Sequence, residues 1–154
     1  SVKDHVGDKI ILGSGDLFTP QDCLDMIDQT GVDGVTVARG AIGNPWIFRQ
    51  ARAMAAGNPL PDPPSLFEQR EIIAEHYVLA QSLYGENRVG PLMRKFGIKY
   101  SILHPEHKAV RSAFTKVRCK EDWDAALENY YHEDLPGCHP DGKMHKAQGS
   151  RENG

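Results

Sequence analysis

The chain has 154 residues, 40% of them apolar and 25% charged, proportions ordinary for a globular domain and sufficient for one good core or two small ones. No run approaches the roughly 18 to 20 consecutive apolar residues that span a bilayer, and the first residues lack the basic-then-apolar order of a secretory signal. Three scattered cysteines, Cys23, Cys119 and Cys138, argue against a disulfide framework and for a reducing compartment, the cytoplasm.

The net charge of −3 conceals a strong asymmetry. Residues 1–87 carry 6 Lys/Arg against 12 Asp/Glu, and residues 121–154 carry 3 against 8. Between them, residues 88–120 carry 9 basic residues against Glu106 alone. A basic block set in an acidic chain points to a polyanionic partner, against the plainer alternative of a solvated basic face.

In chain order, Lys9–Leu12 reads as a buried-type strand, too short and continuous for an amphipathic helix. Thr19 is a helix N-cap, Pro20 occupies the first helical position, and Thr30-Gly31 ends the helix, with Leu24, Met26 and Ile27 inward. Gly34–Val37 is the next strand. A second helix opens at Asn44-Pro45, with Trp46, Ile47, Ala51 and Met54 as its apolar stripe and Gly57 as its end. Strand, helix, strand, helix at this spacing implies a parallel sheet with right-handed crossovers, so residues 1–57 are read as α/β.

Residues 58–64, Asn-Pro-Leu-Pro-Asp-Pro-Pro, form a stiff linker. Beyond it the class changes to all-α. Ser65 and Glu68 make a capping box for a helix running to Tyr84, with Ile73, Tyr77, Ala80 and Tyr84 on one stripe and Gly85 as its stop. A second helix is expected from Pro91 to Leu103 with Leu92, Phe96, Tyr100 and Leu103 inward. A third starts at Pro105 with Val110, Ala113 and Phe114 inward. A fourth covers Glu121 to Tyr131 with Trp123, Ala126, Leu127 and Tyr130 inward. Residues 65–132 thus read as a helical bundle. From Glu133 the apolar residues nearly vanish, and residues 133–154 are expected to be disordered.

Two glycine-bearing turns follow the two strands: Gly13-Ser14-Gly15-Asp16-Leu17 and Ala38-Arg39-Gly40-Ala41-Ile42-Gly43-Asn44-Pro45-Trp46. Glycines let backbone N–H groups approach an anion, and Arg39 can meet a phosphate in a fork that Lys cannot supply. Asp16 can accept from a ligand hydroxyl or hold its own turn. One such turn alone would be read as a tight connection, but two in successive units point to a phosphate site at the strand ends. Elsewhere, His76 and Tyr77 suit packing better than ligation, Trp46 and Trp123 suit packing, and His132, Cys138, His139 and His145 fit no closed zinc spacing, so no metal is expected.

These residues carry a resemblance. The turn at Gly13–Leu17, the strand opening Thr30-Gly31-Val32-Asp33-Gly34-Val35 and the turn at Ala38–Trp46 resemble the end of the flavin barrel of the tRNA-dihydrouridine synthases. The likeness continues in His76-Tyr77, Tyr84-Gly85-Glu86 and Met93-Arg94-Lys95-Phe96, and covers roughly residues 3–115. It implies the last two βα units of a TIM barrel joined to a helical tRNA-binding domain. It implies FMN as cofactor, NADPH as reductant and the 5,6 double bond of tRNA uridine as the reduced group. Its phosphate residues fall on Ser14, Gly15, Asp16, Ala38 and Arg39, with Gly40 adjacent. Ser14 stands where the family commonly has Asn, and Ala38 where it commonly has Gly. Arg88, Arg94, Lys95 and Lys99 become the expected tRNA contacts, with Arg94, Lys95 and Lys99 on a helix face opposite Leu92 and Phe96 and Arg88 at its entry.

The family's catalytic cysteine and flavin-facing Lys and His belong to motifs that residues 1–154 do not contain, so they are expected upstream. On that expectation the chain is a C-terminal portion of a monomeric enzyme and is inactive by itself. The rival readings are an RNA-binding piece without catalysis, or another FMN- or phosphate-binding barrel oxidoreductase.

Overall fold

The computed structural model describes His5 and residues 7–140, in two compact units, the first ending at residue 61 and the second of residues 62–139. Among the described residues the chain is mainly helical, with one two-stranded parallel sheet. Among the described residues no helix is long and apolar enough to cross a membrane.

In the first unit, β1 (Leu12–Gly13) pairs in parallel with β2 (Gly34–Val35), Leu12 opposite Gly34 and Gly13 opposite Val35. Both strands are shorter than the runs Lys9–Leu12 and Gly34–Val37 suggest. At the start of the ladder the Ile11 N–H donates to the Asp33 carboxylate (2.8 Å), a side chain where a further strand bond would lie. The apolar residues there also stay in solvent, Ile10 81% and Leu12 57% exposed.

The next element, α1 (Pro20–Thr30), starts as its sequence dictates. Asp22 N–H donates to Thr19 Oγ1 (3.1 Å), while the Asp22 carboxylate accepts from Thr19 and Phe18 N–H (2.8 and 3.0 Å). Gly31 ends it in the left-handed region at φ 69°. The buried residue of α1 is Cys23, with Leu24, Met26 and Ile27 half-buried. A 3₁₀ turn at Arg39–Ala41 leads to α2 (Ile47–Ala55), which begins two residues past Pro45. Its inward face holds Ile47 and, unforeseen, Gln50.

In the second unit α3 (Leu66–Tyr84) is capped by Ser65 and Glu68 as expected, and its buried face is Leu66, Gln69, Ile73, Tyr77 and Ala80. Tyr84, placed on that stripe by periodicity, is exposed. The next helix, α4 (Glu86–Tyr100), starts five residues before Pro91 and includes it. That proline forfeits one bond in the second turn, and the helix passes through it.

The inward face of α4 also differs from expectation: it is Val89, Gly90, Met93, Gly97 and Tyr100, with Leu92 and Phe96 only half-buried. Close backbone approach explains the rotation. A Cβ on Gly97 would lie 2.4 Å from the Phe114 ring, and one on Gly90 would lie 2.1 Å from the Arg118 carbonyl. A 3₁₀ turn at Ser101–Leu103 then leads to α5 (His107–Thr115) and α6 (Lys120–Tyr130). The core centres on Trp123, fully buried between Tyr77 and Phe114 at ring separations of 5.0 and 4.9 Å.

Residues 133–139 correct the expectation of disorder. Their backbone is tied to the bundle: Leu66 N–H donates to Leu135 O (2.9 Å), Cys138 N–H to Leu103 O (2.8 Å), and Phe67 N–H to the Asp134 carboxylate (3.2 Å). Gln69 donates through Nε2 to both Pro64 O and Leu103 O. Composition misses this segment because main-chain groups, not apolar side chains, hold it. Residues 141–154, with His145, lie outside the described residues.

Candidate phosphate site and basic face

The two glycine turns meet. Ser14, Gly15, Asp16, Leu17, Thr36, Ala38, Arg39 and Gly40 line one cavity of ≈ 390 Å³. All six expected cofactor residues are among them. The pairing of β1 with β2 sets the turns side by side, and the tight fit of Gly40 against the first turn locks them. A Cβ at Gly40 would lie 1.9 Å from the Leu17 carbonyl, so any larger residue would push the turns apart.

The first turn is held in rarely used backbone. Gly15 has φ 139° and Asp16 φ 47°, a left-handed conformation that Asp tolerates better than most side chains. This aims the Asp16 carboxylate across the gap, where Arg39 Nη2 donates to Asp16 Oδ1. The same guanidinium lies 5.6 Å from the centre of the Phe18 ring. Both charged side chains are more than half exposed, so the pair contributes little stability by itself. It does place a forked cation at the mouth of a glycine-lined cavity, the donor set that a phosphate monoester requires. A glycine-bearing cradle whose lining includes a guanidinium held by Asp16 fits the phosphate end of FMN.

Two lining residues escaped the sequence reading. Leu17 is buried, and its carbonyl is the surface against which Gly40 packs. Thr36 follows β2, and its N–H donates to Gly13 O (2.8 Å), tying the second turn to the first. The signal for Thr36 was its place immediately after a strand that leads into the Arg39 turn. Cys23 is buried on α1, and burial raises its thiol pKa, so it has the character of a packing residue.

The four expected RNA contacts separate. Arg88, Lys95 and Lys99, at spacings of seven and four residues, share one stripe of α4. Leu92 lies on that same stripe, and Lys95 Nζ sits 5.0 Å from the centre of the Phe96 ring. The face is therefore beside Leu92 and Phe96, not opposite them. Arg94 points elsewhere: its Nε donates to Val117 O (3.0 Å), bracing α4 against the end of α5.

The histidines sit in the packing. His76 Nδ1 and the Tyr100 hydroxyl are 3.1 Å apart, with the imidazole edge-on to Phe96. Burial pushes the His76 pKa down and the Tyr100 pKa up, to about 12. His104, which the sequence did not single out, is 4% exposed. Its Nδ1 accepts from Glu106 N–H (2.9 Å), so Nε2 carries the proton and donates to Tyr130 O (2.8 Å). Burial lowers its pKa, and the ring is held neutral.

A family model described as Dihydrouridine synthase (Dus) matches residues 1–134. Among curated proteins the chain is similar to the "Probable tRNA-dihydrouridine synthase" of Mycobacterium tuberculosis (strain ATCC 25618 / H37Rv), 35% identical over 127 residues, which are 82% of this chain and 33% of that protein. It is similar to "tRNA-dihydrouridine synthase B" of Shewanella oneidensis, 30% identical over 134 residues, which are 86% of this chain and 41% of that protein. It is similar also to the protein of the same name from Pseudomonas putida, 32% identical over 120 residues, which are 77% of this chain and 34% of that protein. The chain thus spans a third to two fifths of the length of these curated relatives. With a match over that much of its own length, the chain belongs to the dihydrouridine synthase family.

Proposed function

We propose that this chain is part of a flavin-dependent tRNA-dihydrouridine synthase, in which residues 1–57 complete a TIM barrel and residues 65–132 form the tRNA-binding helical domain. The joined cavity of the Ser14–Leu17 and Ala38–Gly40 turns, with Arg39 at its mouth, is the observation that carries the reading. Ser14, Gly15, Ala38, Arg39 and Gly40 hold the FMN phosphate, with Arg39 supplying the charge and the glycines the close backbone approach. Asp16 aims Arg39. The chemistry FMN supplies when bound is two-electron reduction of the uridine 5,6 double bond, with NADPH as the source of reducing equivalents. The helical unit presents Arg88, Lys95 and Lys99 to tRNA phosphates, and the enzyme works as a monomer in the cytoplasm.

Titrating FMN and riboflavin separately into the chain, with flavin fluorescence as the readout, tests the phosphate site. Tighter binding of FMN, lost on Arg39→Lys, is the expected result. Equal affinity for both flavins would remove the site from the account.

A further inference from the structure

We infer that α5 shares with α4 a single RNA-backbone face, to which Lys108 and Arg111 contribute alongside Arg88, Lys95 and Lys99; this deepens the tRNA reading above and rests on it. The two helices run antiparallel, because Gly97 packs on Phe114, Arg94 reaches Val117 O, and Gly90 meets the backbone of Arg118. Residue numbers along α4 rise as those along α5 fall.

Each residue turns the helix by about 100°. On α4 the side turned to α5 holds Gly90, Arg94 and Gly97. Rotation from there through Ile98 and Pro91 reaches Lys95, Arg88 and Lys99. On α5 the side turned to α4 holds Val110 and Phe114, both fully buried. The same sense of rotation passes His107 and Arg111 and reaches Thr115 and Lys108. In antiparallel neighbours, equal rotations carry both sets to the same side of the pair.

The opposite rotation gives a check. On α4 it meets Met93, Tyr100 and Val89, all buried, and on α5 it meets Ala113 and Ala109, which line a groove against α6. The basic side is the solvent side: Arg88, Lys95, Lys108, Arg111 and Thr115 are all exposed.

The pairing of Gly97 with Phe114 sets Arg111 at about the level of Tyr100 and Lys108 just past the end of α4. Arg88 to Lys108 then spans about 22 Å along the helix axes. Within residues 88–120 the single acid is Glu106, in the turn before α5. An elongated basic face to which α5 and the α4 residues from Arg88 onward add no carboxylate suits a phosphodiester backbone better than an acidic patch of mixed charge.

The test is the salt dependence of binding between the full chain and an unmodified tRNA transcript. Wild type is compared with Lys108→Ala/Arg111→Ala and with Lys95→Ala/Lys99→Ala, and circular dichroism verifies that each keeps its helicity. Each lost phosphate contact removes about 0.9 from the slope of log K against log salt, so the α5 pair is expected to lower it by between about 1 and 2. If the wild type binds, the α4 pair weakens binding and the α5 pair leaves the slope unchanged, the role of α5 is overturned and the tRNA reading stands. If the wild type does not bind at low salt, the tRNA reading fails and takes the face with it. Equal competition by polyglutamate of matching charge would overturn the assignment to RNA.

Discussion

Arg39 donates to Asp16 across the gap between two turns that lie 23 residues apart in sequence. The contact joins a residue held in left-handed backbone to one that opens a 3₁₀ turn, and it fixes where the guanidinium points. Lys at position 39 keeps the charge but loses the fork. Arg39→Lys is predicted to weaken FMN binding by about tenfold, the order of one charge-assisted hydrogen bond, and to leave riboflavin binding unchanged. Parallel titrations of the two flavins read this directly.

The cradle depends on Gly40. Gly40→Ala places a methyl group 1.9 Å from the Leu17 carbonyl and is predicted to cost about 1 to 3 kcal/mol, with loss of FMN binding. Gly57→Ala serves as the comparison: φ 78° strains it, but nothing lies within 4 Å of the new atom. It is predicted to cost about 1 kcal/mol at most and to spare FMN binding. Denaturant unfolding of the two variants separates the effects.

In the helical unit the segment 133–139 acts as a clasp. Ending the chain after His132 removes the partners of Leu66 N–H and Phe67 N–H and one of the two donors to Leu103 O, and is predicted to lower the melting temperature of the bundle. Ending it after Pro140 is predicted to leave the bundle transition unchanged. Gly137→Ala belongs with the first truncation, because its Cβ would lie 2.2 Å from Pro64 O. Thermal melts followed at 222 nm check all three.

His104 gives the bundle a pH dependence of definite sign. Its folded pKa lies below the ordinary value of 6.5, and the same holds for His76, in both cases through burial. The unfolded chain therefore binds more protons as pH falls below about 6.5, so stability present above that value is lost on acidification. Protonation would also cost His104 the acceptor that Glu106 N–H uses. Urea midpoints at pH 7.5 and pH 5.5 are predicted to differ, with the acidic one lower. His104→Leu is predicted to reduce that difference while lowering stability at both values.

Much of this was legible in the sequence because the signals are local. The N-cap at Thr19, the capping box at Ser65 and the glycines at Gly31 and Gly85 mark helix ends by chemistry that needs no distant partner. The two glycine turns at the strand ends were visible as a pair, and they line one cavity.

What failed was non-local. The inward face of α4 was misjudged because Gly90 and Gly97 carry no hydrophobic signal, yet they face the core through backbone contact. Tyr131, fully buried, closes the expected fourth helix but was not among its inward residues; the helix ends at Tyr130, and the residue after it turns into the core. The burial of Asn44, Gln50 and Gln69 likewise depends on what packs around them and not on residue type. The basic block was visible as composition, but its division between Arg94, turned to Val117, and the exposed stripe required the helix register.

The most direct test of the account is the dihydrouridine content of tRNA from cells in which the gene encoding this chain is disrupted. Mass spectrometry of digested tRNA is predicted to find dihydrouridine lost from at least one position, restored by the wild-type gene and not by one carrying Gly40→Ala. Unchanged dihydrouridine at every position would contradict it.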